Sequence, residues 1–243
     1  MQQHQQEDEN CRFDFNRTAI ELAALTNKFA PTKFYFFSLE EMKNVQQKTP
    51  WEIAVDFHGH SCPGLAIGFR ATELAMEALG VQRAVDEEML AIVENNACGV
   101  DAVQTLSGCS FGKGNLLFRD LGKQVYTFMR RRDGAAVRVA VKYGSNFDPD
   151  YSGLKERIGS GTASLSDKER YPAAMKKRIQ NILNAGTDVF EVEKVNLELP
   201  ATAAIYQTLQ CAKCGEGVME PRARLKSGQI VCIPCFERSE NQC

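Results

Sequence analysis

Histidine is scarce in this chain, with three in 243 residues, and tryptophan occurs once. No apolar run approaches the roughly 18–20 residues that a membrane-spanning helix needs, which argues against a transmembrane protein. The first ten residues, MQQHQQEDEN, are polar and acidic, without the basic flank and apolar stretch of a secretory leader. Charge of one sign is also not in excess. Lysine and arginine number 29 against 31 acidic residues, a formal net charge of -2. That balance offers little attraction for nucleic acid or an acidic membrane. These absences predict a cytoplasmic protein whose main partner is neither membrane nor nucleic acid.

What is present is an ordinary globular composition, 44% apolar and 25% charged, together with nine cysteines. In a reducing compartment cysteines read first as metal ligands, reactive thiols or buried fillers, and only then as disulfides.

Three segments are expected: a disordered tail over 1–15, a core over 16–204 and a small cysteine-rich domain over 205–243. Within the core, helical spacing predicts helices over 16–29 and from Ser38, where SLEE has the form of a capping box. TPWE opens another, with Thr49 as cap, Pro50 at the first helical position and Glu52 in the first turn. Leu65, Phe69, Thr72, Met76 and Leu79 predict a largely buried helix that ends at Gly80. MLAIVEN (89–95) reads as a buried strand, and Asp133-Gly134 as the turn of a β-hairpin bearing Val137, Val139 and Val141. The Gly/Ser-rich stretch 144–167 reads as a loop or lid. SDKE (166–169) opens a further helix, and DVFEVEKVNLELP (188–200) alternates as a strand. Helices and strands mix without βαβ regularity, so the fold class is α+β.

The strongest single signal is Cys211-x2-Cys214, seventeen intervening residues, then Cys232-x2-Cys235. Two closely spaced thiolate pairs can close a tetrahedral shell, which predicts a structural zinc site of treble-clef or ribbon type. Four cysteines leave no open position for catalysis. Five basic against four acidic residues from Cys211 onward give no case for nucleic acid, so the finger is read as a structural or protein-docking element.

FHGHSCPG (57–64) holds two of the three histidines and one cysteine. An extended segment would project His58, His60 and Cys62 to one face, where they could converge on one ion with room for water or substrate. Pro63 suits the first turn of the next helix, which places Cys62 at its cap. The plain alternative is a set of packing and capping residues. In NNACGVDAVQTLSG a helix beginning near Cys98 would put Cys98, Asp101 and Gln104 or Thr105 on one face. There the helix N-terminus would favour a Cys98 thiolate; Cys98 and Cys109 as buried small hydrophobes is the competing reading. GCSFGKGN (108–115) fails the Walker pattern, because only three residues separate Gly108 from Gly112 and Gly114 stands at the Ser/Thr position. Its Gly-rich turn with Lys113 could cradle a small anion.

FHGHSCPG, CGVDAVQ and GCSFGKGN, in that order and followed by a four-cysteine finger, resemble the FmdE family, whose name comes from formylmethanofuran dehydrogenase. The likeness runs from Trp51 to Tyr143, with Ser110 where the family has threonine. The resemblance implies a dimerising α+β core. It implies a metal-holding cleft that gathers His58, His60, Cys62, Cys98, Asp101 and Cys109, with Lys113 nearby. It also implies a link to molybdenum or tungsten enzymes that interconvert carbon dioxide and a formyl group. On this reading His58, His60, Cys62 and Cys98 supply the core metal ligands. Asp101 orients a ligand or acts as a base, Cys62, Cys98 or Cys109 supplies a reactive thiol, and Lys113 attracts a carboxylate or formyl oxygen. The ligand mix favours zinc, nickel or iron over magnesium or calcium. The competing functions are a non-catalytic metal or cofactor carrier and a zinc-finger regulator. Expected partners are a second copy of the chain and a redox enzyme docked through the finger.

Overall fold

A computed structural model describes residues 48–145 and 147–238. The tail expected over 1–15 and the helices expected over 16–29 and from Ser38 lie outside the described residues. Residues 48–204 fall in one compact unit and 205–238 in another.

The first unit opens with α1 (Pro50–His58). The Thr49 hydroxyl accepts from the Glu52 N–H at 3.2 Å, and the Glu52 carboxylate accepts from the Thr49 N–H at 2.7 Å. This reciprocal cap satisfies donors that the helix itself cannot, and such caps contribute about 1 kcal/mol. A second helix, α2 (Pro63–Leu79), buries eight of its seventeen residues and stops where Gly80 adopts a left-handed φ of 60°. A side chain would be strained at that φ.

Five strands make one sheet: β1 (Met89–Val93), β2 (Leu116–Phe118), β3 (Val125–Arg130), β4 (Ala136–Val141) and β5 (Phe190–Val195), in the order β2-β1-β3-β4-β5. β1 and β2 run parallel, joined through α3 (Gly99–Ser107), and the other pairs are antiparallel. The Asp133-Gly134 hairpin forms where its turn residues predict, pairing Val137 with Phe128 and Val139 with Tyr126. Ala71, Ala75 and Leu79 of α2 pack on the sheet face made by Met89, Ala91, Phe128, Val139 and Phe190. Each large side chain buried there is worth roughly 1.5–3 kcal/mol, so α2 is anchored firmly over the sheet. The other face holds a smaller cluster of Leu90, Ile92 and Met129, with Leu199 against it. Helices and strands are mixed as α+β.

The stretch 144–167 departs from the loop expected there. It contains α4 (Pro149–Gly159), capped by the Asp148 carboxylate on the Tyr151 N–H, with Pro149 in the first turn. Tyr151 and Leu154, three apart, supply the buried stripe. The Gly and Ser residues flank the helix more than they break it. The next helix, α5 (Leu165–Leu183), starts earlier than SDKE suggested, because Ser164 and Asp167 form the capping box. The Arg70 Nε donates to the Ala185 carbonyl at 2.7 Å, tying α2 to the end of α5. The strand expected over 188–200 is confined to β5. No helix among the described residues is long and apolar enough to cross a membrane.

The second unit consists of two hairpins, β6 (Thr208–Gln210) with β7 (Gly217–Met219) and β8 (Arg224–Lys226) with β9 (Gln229–Val231), followed by α6 (Ile233–Glu237). Its buried cluster is Cys211, Val231, Cys232 and Cys235, with Val218 alongside.

Candidate metal centre

His58 is the last residue of α1, not part of an extended segment. Gly59 follows in the left-handed region, φ 88°, and its N–H closes the helix on the Val55 carbonyl. That reversal returns the chain so that the His60 ring sits 4.5 Å from the His58 ring, centroid to centroid. The backbone then extends through Cys62, φ -146° and ψ 160°, which caps α2 by accepting the Leu65 N–H at its sulfur, 3.3 Å away. The expected convergence occurs, through a helix cap in place of strand alternation. One donor atom each from His58, His60 and Cys62 lies within 4.8 Å of the others.

Asp101 adds the orienting group. Its Oδ2 is 2.7 Å from His58 Nδ1, and Gln104 Nε2 donates to its Oδ1 at 3.4 Å. A carboxylate there places the imidazole proton on Nδ1. His58 Nε2, 3.8 Å from Cys62 Sγ, is left with its lone pair toward the cluster. A carboxylate behind a ligating histidine is the usual outer support of a transition-metal site, so the residues fit such an ion. The His58 side chain is only 11% exposed, whereas the Asp101 side chain is 36% exposed.

Cys98 stands at the N-terminus of α3 and is packed with Cys62 against Ala54, Leu65, Phe69 and Ala102. Three glycines bring α3 this close. A Cβ on Gly68 would fall 2.1 Å from the Gly99 carbonyl oxygen, and one on Gly99 would fall 2.4 Å from the Tyr126 hydroxyl. A Cβ on Gly64 would lie 3.3 Å from Cys98 Cβ, a tight contact, with the Cys98 and Cys62 sulfurs just beyond it. Cys98 is nevertheless outside the three-donor set that meets within 4.8 Å. Burial, and then the neighbouring Cys62 sulfur, push the Cys98 pKa up. Burial pushes the Tyr126 hydroxyl up to about 12.

Cys109 and Lys113 do not join this group. They follow the C-terminal end of α3, whose nine residues separate its two ends by about 13.5 Å. Cys109 is fully buried, its pKa pushed up by that burial. Lys113 Nζ donates to the Val85 and Asp86 carbonyls at 3.3 and 2.9 Å, closing a turn. The expectation of a single cavity lined by all these residues is corrected for these two.

His60, Cys62 and Cys98 instead form one wall of a cleft of about 670 Å³. Its other wall comes from α4 and α5, through Tyr151, Ser152, Lys155, Glu156 and Arg178. Tyr151, Ser152, Lys155 and Glu156 lie in the segment that reads as a loop, where the Asp148-Pro149 cap was the available signal; Arg178 lies on the helix that SDKE announces, with no local motif to mark it.

In the second unit the sulfurs of Cys211, Cys214, Cys232 and Cys235 gather within 4.8 Å of one another, all as free thiols. The Cys214 and Cys232 N–H groups point at Cys211 and lower its pKa to about 6. The spacing thus produces the four-sulfur cluster it predicts.

Comparison with known proteins agrees with this division. Residues 57–191 match the family described as FmdE, molybdenum formylmethanofuran dehydrogenase operon, and residues 204–241 match the prokaryotic dksA/traR C4-type zinc finger. A probable S-adenosyl-L-methionine-binding protein of Archaeoglobus fulgidus is 36% identical over 192 residues, 75% of this chain and 51% of that protein. The chain thus spans about half the length of that curated relative. A tungsten formylmethanofuran dehydrogenase FmdE-like protein from Syntrophus aciditrophicus has a similar structure, with a TM-score of 0.51 and 25% identity. That likeness covers 78% of this chain and 91% of the other.

Proposed function

The chain belongs to the FmdE family, and from that membership we propose that its core is a metal-dependent centre for a small carbonyl or one-carbon substrate. One observation carries the reading: three soft and borderline donors meet within 4.8 Å, and two of them, His60 and Cys62, also line a cleft of substrate size. His58, His60 and Cys62 would hold zinc, nickel or iron, and Asp101 would fix the His58 ring. The bound ion would supply Lewis-acid chemistry toward a carbonyl oxygen. Cys98, packed beside Cys62, lines the same cleft. Met219 and Leu225, 62% and 70% exposed on the finger, support docking to a protein such as a molybdenum or tungsten redox enzyme. A homodimer is part of the same proposal, and the mass of the purified protein in solution tests it.

Metal analysis of wild type and Cys62→Ser, with anomalous scattering to place each ion, decides the central claim. The wild type should carry one ion at the finger and one at the core, and the variant should lose the core ion alone. Core metal that survives loss of both His60 and Cys62 would sink the assignment.

A second reading is binding of S-adenosyl-L-methionine, after the name of the Archaeoglobus relative. The cleft offers it an aromatic ring at Tyr151 and a guanidinium at Arg178. Equilibrium dialysis with that compound separates the two readings.

A further inference from the structure

Arg178 is unusual in its setting. Its guanidinium lies over the Tyr151 ring, 4.9 Å from the centroid, and 5.3 Å from that of Phe147. Its Nε and Nη1 are shut off from solvent, yet among the described residues neither has a hydrogen-bond partner. Aromatic faces satisfy the charge in part but leave in-plane N–H donors unused. Buried charged donors without acceptors are costly, so an acceptor that reached this guanidinium from the cleft would be favoured.

Arg178 lines the cleft together with Lys155, His60 and Cys62; its Nε–H and Nη1 lie on different edges of the guanidinium, so a carboxylate would take Nη2 together with one of them. The N-termini of α2 and α3 open onto the cleft at Pro63 and Cys98, adding two positive dipole ends. Glu156 is the one carboxylate among the lining residues. The volume of about 670 Å³ is also far more than a one-carbon unit would fill; pockets of roughly 300–1,000 Å³ take whole organic ligands.

We propose that the cleft binds a small organic carboxylate, with its anionic end on Arg178 and its other end against the His58/His60/Cys62 cluster. This deepens the metal-centre reading and rests on that cluster being the functional wall. Arginine suits the task, because its planar fork takes a carboxylate through two parallel hydrogen bonds. Recognition of the charged tail then positions the rest of the molecule at the cluster.

The test follows the backbone amide resonances of Tyr151 and Lys155, which line the cleft, in the full-length protein during titration with acetate, with acetamide as the neutral control, at constant ionic strength. Acetate should produce a saturable shift with a Kd on the order of millimolar, as a four-atom probe allows. Acetamide should not. Binding should weaken about tenfold or more in Arg178→Met, the loss expected for a charge-assisted hydrogen bond. It should persist in Cys62→Ser, whether or not that variant keeps core metal. If Arg178→Met does not fold, Arg178→Lys replaces it and should bind acetate more weakly than wild type. No saturable shift, an equal response to acetamide, or undiminished binding in the Arg178 variant would overturn the proposal. Acetate binding lost in Cys62→Ser and kept in Arg178→Met would place the anion on the metal. That outcome rejects the Arg178 site and leaves the metal-centre reading intact.

Discussion

His58 and Asp101, 43 residues apart in sequence, meet through a 2.7 Å contact between Nδ1 and Oδ2. The contact joins the end of α1 to the first turn of α3 and sets which imidazole nitrogen faces Cys62. Asp101→Asn keeps the shape but removes the charge behind the ring. Core metal affinity should fall about 10–100-fold, as for other outer-shell carboxylates. Competition with a chromophoric chelator measures it, and the finger ion serves as the internal control.

Gly68→Ala should disrupt the centre without touching any ligand. Its Cβ would meet the Gly99 carbonyl oxygen at 2.1 Å, a backbone clash that only a shift of α3 against α2 relieves. A destabilisation of about 1–3 kcal/mol is expected in urea unfolding, because overpacking at a backbone contact has no flexible side chain to yield. Reduced core metal should accompany it.

Cys109→Ala and Lys113→Ala should leave core metal content unchanged, since both positions lie beyond the far end of α3. Loss of core metal in either variant, measured by elemental analysis of folded protein, would contradict the placement described above.

Stability should fall at alkaline pH through Tyr126. The folded-state pKa, about 12, lies above the ordinary phenol value near 10, so the folded protein holds a proton that the unfolded chain releases. The stabilising effect is complete below about pH 10 and is lost as pH rises through about 12. Tyr126→Phe should flatten this decline when urea midpoints are compared at pH 9 and 11.5. Tyr151, also raised to about 12 by burial and by the Tyr171 hydroxyl, leaves a residual slope.

Chelation of the finger metal should unfold residues 205–238 while leaving 48–204 protected from hydrogen exchange. Three of the four residues in the finger's buried cluster are cysteines of the four-sulfur group, with Val231 the fourth. Without an ion little apolar area would remain to hold the hairpins, so metal binding would supply the folding energy of this unit.

Local chemistry was legible in the chain. The Thr49/Glu52 cap, the Gly80 stop and the Asp133-Gly134 turn depend on neighbours within a few residues. So do the two Cys-x2-Cys pairs and the His58/His60/Cys62 group, whose members lie within five positions. Ser164 was missed as a cap because SDKE, two residues later, carries the same pattern. The helix at Pro149–Gly159 was hidden by the glycines and serines around it.

The tertiary structure decided what must be read across the chain. Sequence spacing could place Cys98 and Cys109 near the same helix, but only packing shows that one end meets Cys62 and the other faces away. That choice is made by Gly64, Gly68 and Gly99, which permit a close helix approach that no hydrophobic period records. The Arg178 wall of the cleft has the same origin. A local pattern determines which atoms are available as ligands and caps, because those contacts close within one or two turns. The cleft depends on α5, with α4 against it, packing on α2, which itself lies on the sheet, so its chemistry exists only once the core has packed.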